Sequence, residues 1–444
     1  MTAGRRRARR SRSGGYLIAL AVALGSGVIG TAVLGHTYSR LALQKEPFQR
    51  LRYVPSFDPV EDVTLGLPPD ASDQDPGWAS GAIRAIVVYP TQTIMLAGGK
   101  ALRTINQPAP GTLRGLARLV HNPRWVNVSG STVTIRAAVV IEGGSVMTIA
   151  APVTSELVMA VRPGVFLATV HGRLRLSGVY VHASDSRVPD VLSRSAGVRR
   201  RPFLFANDHS TLTAAHCVFR YLGRDWNSSY GLTWSKESTG YVIRSEFDHD
   251  FIGVYLNGSS GLRIAHNRFY RNTLYGIDPH SSSSHLTIEH NTSDFNGRHG
   301  IILSDHVTDS VIRYNVTRGN GFNGIMMDQA SAHNSIEHNT VMDSKSGGIV
   351  LAGSGGNTVA DNTVRNNRVG IIVRGPSYGT MIRGNTVSGN EMAAQGTGLS
   401  RNTVYGNGGA WSARLLRVIW LCALGLLMLL LAVTRIFMRT GAGQ

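Results

Sequence analysis

The chain has 444 residues, with 51 Gly, 2 Cys, and 45 Lys+Arg against 27 Asp+Glu. A hydrophobic content of 42% excludes general disorder, the glycine content disfavours an all-helical protein, and Cys217 and Cys422 alone cannot build a disulfide framework or a cysteine-based zinc site. The net charge of +18 is mostly peripheral: six arginines lie within Arg5–Arg12, and Arg40, Arg414, Arg417, Arg435 and Arg439 flank apolar runs, which leaves 34 bases against the 27 acids in residues 41–413. A nucleic-acid binder concentrates its bases on the folded part, so no nucleic-acid partner is expected.

From the N-terminus, residues 1–15 form a basic segment. Residues 16–35, Tyr16–Gly35, are an uncharged apolar run of spanning length, read as a transmembrane helix or signal anchor because no clear Ala-x-Ala site follows it. Residues 36–100 read as a stalk, since Tyr53–Ile83 carries six acids, several prolines and no Lys or Arg. Thr112–Val120 places Leu113, Leu116, Leu119 and Val120 on one face of a short helix, which would cap the open N-terminal end of a β-rich body. Short β-rich runs begin near Val133, and a second uncharged apolar run, Val418–Thr434, predicts a transmembrane helix over residues 416–438. Positive charge marks the cytoplasmic side. Two crossings therefore leave both termini inside and residues 101–410 on the extracytoplasmic side of the cytoplasmic membrane.

The body between the apolar runs repeats. Asn recurs at 267, 291, 315, 339, 362, 385 and 402, with steps of 24, 24, 24, 23, 23 and 17, and an aliphatic stands three residues before each. A second register runs Gly253-Val254, Gly276-Ile277, Gly300-Ile301, Gly324-Ile325, Gly348-Ile349 and Gly370-Ile371. A unit of this length with three short strands is one coil of a parallel β-helix, whose coils stack about 4.8 Å apart. The fold expected is all-β: a right-handed parallel β-helix of about ten coils, regular over residues 245–405, with terminal transmembrane helices. The ladder explains many tempting residues: Asn291, Asn315 and Asn339 are structural, His266, His290 and His338 are turn residues, and Cys217 is a buried ladder thiol rather than a nucleophile.

Chemistry is expected where residues depart from the ladder. After successive Gly-aliphatic strands the chain reads Asp278-Pro279-His280, then Ser304-Asp305-His306, then Asp328-Gln329. Stacking would bring Asp278, His280, Asp305, His306 and Asp328 onto one face, with Arg271 and Tyr275 entering from one coil and Arg298 and His299 from the next. Together these supply base, acid and anion binder.

Tyr275-Gly-Ile-Asp-Pro-His280 resembles the Tyr-Gly-aromatic/aliphatic-Asp-Pro-His-acid signature of mannuronan C5-epimerases. Arg244-Ser-Glu-Phe, Phe269-Tyr-Arg-Asn-Thr-Leu-Tyr-Gly, Arg298-His-Gly-Ile-Ile-Leu-Ser and Asn323-Gly-Ile-Met-Met-Asp extend the resemblance, to the periplasmic alginate epimerases, over about residues 200–390. The resemblance implies that His280 is the base that removes the C5 proton of a uronate. It makes Tyr275 an acid/base partner and gives Asp278 the task of orienting His280 or binding sugar hydroxyls. Arg271, Arg298, His299, Asp305, His306 and Asp328 would contact substrate. Two positions depart from the family: Ser281 stands where an acid follows the His, and Asp305 stands where a carboxylate-neutralising Arg is found. Arg298 or Arg271 would substitute for that Arg, or a divalent cation would bridge Asp305 and Asp328; no cofactor is otherwise required. The partners implied are an acidic polysaccharide, the membrane and exopolysaccharide synthesis or export machinery. A polysaccharide lyase sharing the same base and a non-catalytic glycan-binding scaffold are the alternative functions.

Overall fold

The computed structural model describes residues 84–395, except for Gly99, Pro163, 185–199, 226–228 and Glu391, together with 403–405 and 407–409. Both apolar runs and the acidic stretch before residue 84 lie outside these residues. Among the described residues no helix is long and apolar enough to cross a membrane.

Three sheets wind around one core. In each central coil the chain contributes a strand to the first sheet, then the second, then the third, as in Val254–Asn257, Arg263–Ala265 and Arg268–Tyr270, before returning to the first at Ile277–His280. Each strand pairs in parallel with its counterpart one coil on, so Val254 faces Ile277, Ile264 faces Ile288 and Phe269 faces Ser293. The fold is the expected right-handed β-helix of about ten coils.

Side-chain alternation along each short strand sends one set inward. Ile264, Ile288, Ile312, Ile336, Val359 and Ile382 are in register and fully buried. In the earlier coils Phe219, Phe247 and Phe269 stack at 4.8 Å between ring centres. At the corner after the second sheet, the Asn291 amide donates to Asn315 Oδ1 (3.0 Å) and to the Ile264 carbonyl (2.8 Å), satisfying backbone that the bend leaves unpaired. The same geometry runs from Asn267 to Asn385. Ser245 and then Cys217 continue the row backwards, so Cys217 is a buried ladder residue whose thiol is pushed up by burial.

Three features depart from the sequence reading. The Asn row ends on Asn407 rather than Asn402, because Val404, not Leu399, pairs with Ile382; the last step is a full coil. A second Asn row, Asn272, Asn296 and Asn320, lines the corner between the third and first sheets. Finally, the solenoid begins before residue 101: Arg84–Val88 pairs in parallel with Ala138–Glu142, and Thr93–Ala97 and Lys100–Ile105 extend that sheet antiparallel. The helix Leu113–Val120 starts at Thr112, whose hydroxyl accepts from the Gly115 amide, and it buries Leu113, Leu116 and Val120 in the main core.

Candidate functional site

The site lies on the outer face of the first sheet in its central coils. Val254, Leu256 and Ile277 point into the core, so the alternating positions face outward. There Tyr255 pairs with Asp278, and Asn257 with His280. Tyr275 and His299 occupy equivalent places just before their strands, as shown by the Gly276 amide donating to the His299 carbonyl. The bend at Gly276 needs the missing side chain: a Cβ there would strike Ser293 Oγ and the Gly300 carbonyl. Around these groups Phe251, Ile252, Tyr255, Tyr275, Ile302, Met326 and Val350 form an apolar cluster outside the core, against which Tyr230 and Leu274 pack. The acid–base groups therefore sit in a low-dielectric floor rather than on an open polar turn.

That environment decides their charge states. His280, whose side chain is 20% exposed, places Nδ1 2.7 Å from Ser281 Oγ and 3.9 Å from Asp305 Oδ2. Burial lowers its pKa below the ordinary histidine value, and Asp305 partly offsets the shift, so the imidazole is neutral at neutral pH. Asp278 is 3% exposed, and its Oδ1 has no hydrogen-bond partner among the described residues. Burial first, and the Asp328 carboxylate second, raise it well above the carboxylate range and favour its protonated form. Tyr230 and Tyr255 are raised by burial and, less strongly, by neighbouring carboxylates including Asp278, so both phenols keep their protons. The Tyr255 ring lies 5.9 Å from that of His280.

The other sequence candidates divide. Asp305 sits beside His280 and also meets His306, which is exposed, at 2.8 Å, so one carboxylate serves two imidazoles. Asp328 is buried on the same face, close enough to Asp278 to raise it. His299 is 1% exposed and stacks under Tyr275 at 5.3 Å, with Phe322 edge-on at 5.6 Å. Burial, Arg298 and Arg374 hold it near pKa 3. It is placed to brace Tyr275 rather than to meet a ligand. Arg298 follows Gly297 at the same corner and bears on His299 through its charge. Arg271 does not: its guanidinium lies 4.9 Å from the Tyr270 ring centre, on the outer side of the third sheet. Among the described residues no three His, Cys, Asp or Glu side chains converge in metal-binding geometry.

Sequence reasoning missed Tyr230, Tyr255 and Arg374. Tyr230-Gly-Leu repeats the Tyr-Gly-aliphatic pattern of Tyr275-Gly-Ile, and Tyr255 holds the strand position of Asp278, so both carried a readable signal. Arg374 follows Asp328 and Ala352 in one outward column. That column was readable from the Gly-aliphatic repeat; the effect of Arg374 on His299 was not.

The fold is that of a right-handed β-helix protein. Residues 177–341 match the family described as right handed beta helix region, and residues 323–412 match the periplasmic copper-binding protein (NosD) family. A mannuronan C5-epimerase of Pseudomonas syringae pv. tomato is 27% identical over 142 residues, which is 29% of this chain and 26% of that protein. A second, from Pseudomonas fluorescens, is 32% identical over 95 residues, 19% of this chain and 18% of that one. The matches thus span about a quarter or less of the relatives' length. The crystal structure of the periplasmic alginate epimerase AlgG superposes with a TM-score of 0.59 at 23% identity, covering 67% of this chain and 82% of that one; the likeness is one of fold.

Proposed function

We propose that the protein is an extracytoplasmic polysaccharide-modifying enzyme, a C5-epimerase of a polyuronate-like exopolysaccharide. The observation that carries the reading is the placement of His280 and Asp278 beside Tyr255 and Tyr275 on a buried apolar floor, where burial lowers the imidazole and raises the Tyr255 phenol and the Asp278 carboxyl. His280 Nδ1 is engaged by Ser281, which leaves Nε2 to take the C5 proton. The C5–H electron pair moves into the adjoining carboxylate as an enediolate. A tyrosine, Tyr275 or Tyr255, then delivers a proton to C5 from the opposite face, and exchange with solvent resets both groups. The enediolate needs its charge offset. Protonated Asp278 supplies a hydrogen bond, and Arg298 and Arg374 supply the positive field that an arginine at position 305 would otherwise give.

The same reading holds the body outside the cytoplasmic membrane, tethered by residues 16–35 and 416–438, with an exported acidic polysaccharide and its export machinery as partners. The arginines at both apolar runs and the likeness to periplasmic proteins support it. A reporter after Gln444 should then read cytoplasmic and one near Asp73 external. The activity test is incubation with polymannuronate and other polyuronates in D₂O. Deuterium at C5 is expected; a new unsaturated end would make the protein a lyase, and neither signal on any polymer would sink the catalytic reading.

A further inference from the structure

The corner between the third and first sheets carries a patch that the catalytic reading does not use. Its turn residues form a column one coil apart: His249, Arg271, Phe295, Gly319, Asp343, Asn366 and Gly389, all with positive φ. Gly, Asp and Asn suit that left-handed geometry, whereas a bulky aromatic is strained there. Phe295 is nevertheless at this position with φ 55° and is 47% exposed, so burial does not compensate the strain. Its ring leans over Gly319, where a Cβ would collide with it. Phe295 thus presents an aromatic ring to solvent at a corner where the next coils carry Gly319, Asp343 and Asn366.

The neighbours of Phe295 are aromatic and cationic. Tyr270 meets it edge-on at 5.9 Å. The guanidinium of Arg318 lies 5.4 Å from the Phe295 ring centre, and those of Arg268 and Arg271 lie 4.4 and 4.9 Å from that of Tyr270. Arg268 pairs with Glu246 at 3.4 Å and Arg318 with Asp294 at 2.9 Å, and both remain about half exposed. Arg271 is exposed and has no carboxylate within ion-pair distance among the described residues. Arg268 and Arg271 come from one coil and Arg318 from two coils on, with Phe295 in the coil between, so the patch spans three coils about 4.8 Å apart.

We propose that Tyr270, Phe295, Arg268, Arg271 and Arg318 form a second binding strip for the acidic polysaccharide, taking sugar units beyond those at His280. The proposal rests on the polyuronate reading for the nature of its ligand. Aromatic faces accept the apolar face of a pyranose, and guanidinium forks pair with its carboxylate in a planar, bidentate way. The strip adjoins the groove. Three residues separate Arg271 from Tyr275, and three separate Phe295 from His299, across the same corner. A chain long enough to occupy both places gains from the raised effective concentration of its second contact, and a short one does not.

The test compares the full-length protein with Arg271→Ala, Phe295→Asn and the double variant; Asn relieves the turn, as Asn366 does in its own coil, so the fold is kept. Substrates are long polymannuronate and its trimer. The expected result is a KM for the long polymer raised about tenfold relative to that for the trimer, with the matching loss of long-polymer affinity in a His280→Ala background. Exchange at C5 with the same KM ratio in parent and double variant overturns the strip and leaves the catalytic reading. Long-polymer binding that depends on Arg271 and Phe295, without exchange in the parent, keeps the strip and removes the catalytic reading. Loss of binding to phosphatidylglycerol vesicles with polymer binding unchanged overturns the polysaccharide assignment.

Discussion

At the scale of single residues the site is costly to keep. Asp278 has a folded-state pKa raised above its unfolded value, so its ionisation weighs against the fold increasingly as pH rises through the normal carboxylate range. Asp278→Asn should therefore raise the melting temperature, more at pH 7–8 than at pH 4, while lowering turnover; an equal or lower melting temperature at pH 8 would show that the carboxylate is paired. His280 shifts the other way. Its lowered pKa puts the acid limb of kcat/KM below the ordinary histidine value of 6.5, and activity falls as pH drops through it. Asp305 is the group that raises His280, so Asp305→Asn should move that limb to lower pH; a limb that stays put would remove Asp305 from the site. His280→Ala should abolish exchange at C5 with the fold intact. Asp278 stood out because it holds an outward strand position that neighbouring coils fill with Tyr255, Met326 and Val350. His299 and Arg271 were not legible, because spacing places a residue on a corner without saying whether its side chain turns under Tyr275 or out over Tyr270.

At the scale of the element, the coil is fixed by its interior isoleucines and its corner asparagines. Asn315 donates to Asn339 Oδ1 and the Ile288 carbonyl, and accepts from the backbone and side chain of Asn291. Asn315→Ala leaves those partners buried and unpaired, at about 1–3 kcal/mol each, and should lower the melting temperature by several degrees. Ile312→Asp should prevent folding by placing an unpaired charge in the core; a soluble, native-like spectrum would contradict its inward position. The central coils were legible because their steps of 22–24 residues keep both registers in phase. The earlier coils were not, for a physical reason. The paired residues Leu167 and Leu204 are 37 apart and Leu204 and Leu232 are 28 apart, so extra chain at the corners breaks the period while the strands still stack. There the ladder place also passes from Asn to Ser245 and Cys217, which hold the same bend with different chemistry.

At the scale of the whole molecule, a solenoid has two ends but one repeating middle, and each coil touches only its neighbours. The central coils therefore carry their own stability, and what an end needs is cover for its strand edges and core. The helix Leu113–Val120 gives that cover by placing Leu113, Leu116 and Val120 against the first coils, beside Trp125, Met147 and Ile149 in one continuous core. Leu116→Asp would lift the helix without touching the coils that carry His280. The expected outcome is an active but association-prone protein, with exchange at C5 per folded molecule near that of the parent and concentration-dependent light scattering. Circular dichroism would retain its β signature, because the later coils keep their ladders. Global loss of that signature at low concentration would instead mean that the first coils nucleate the rest, and a monodisperse, unaltered protein would mean that the helix is not the cap.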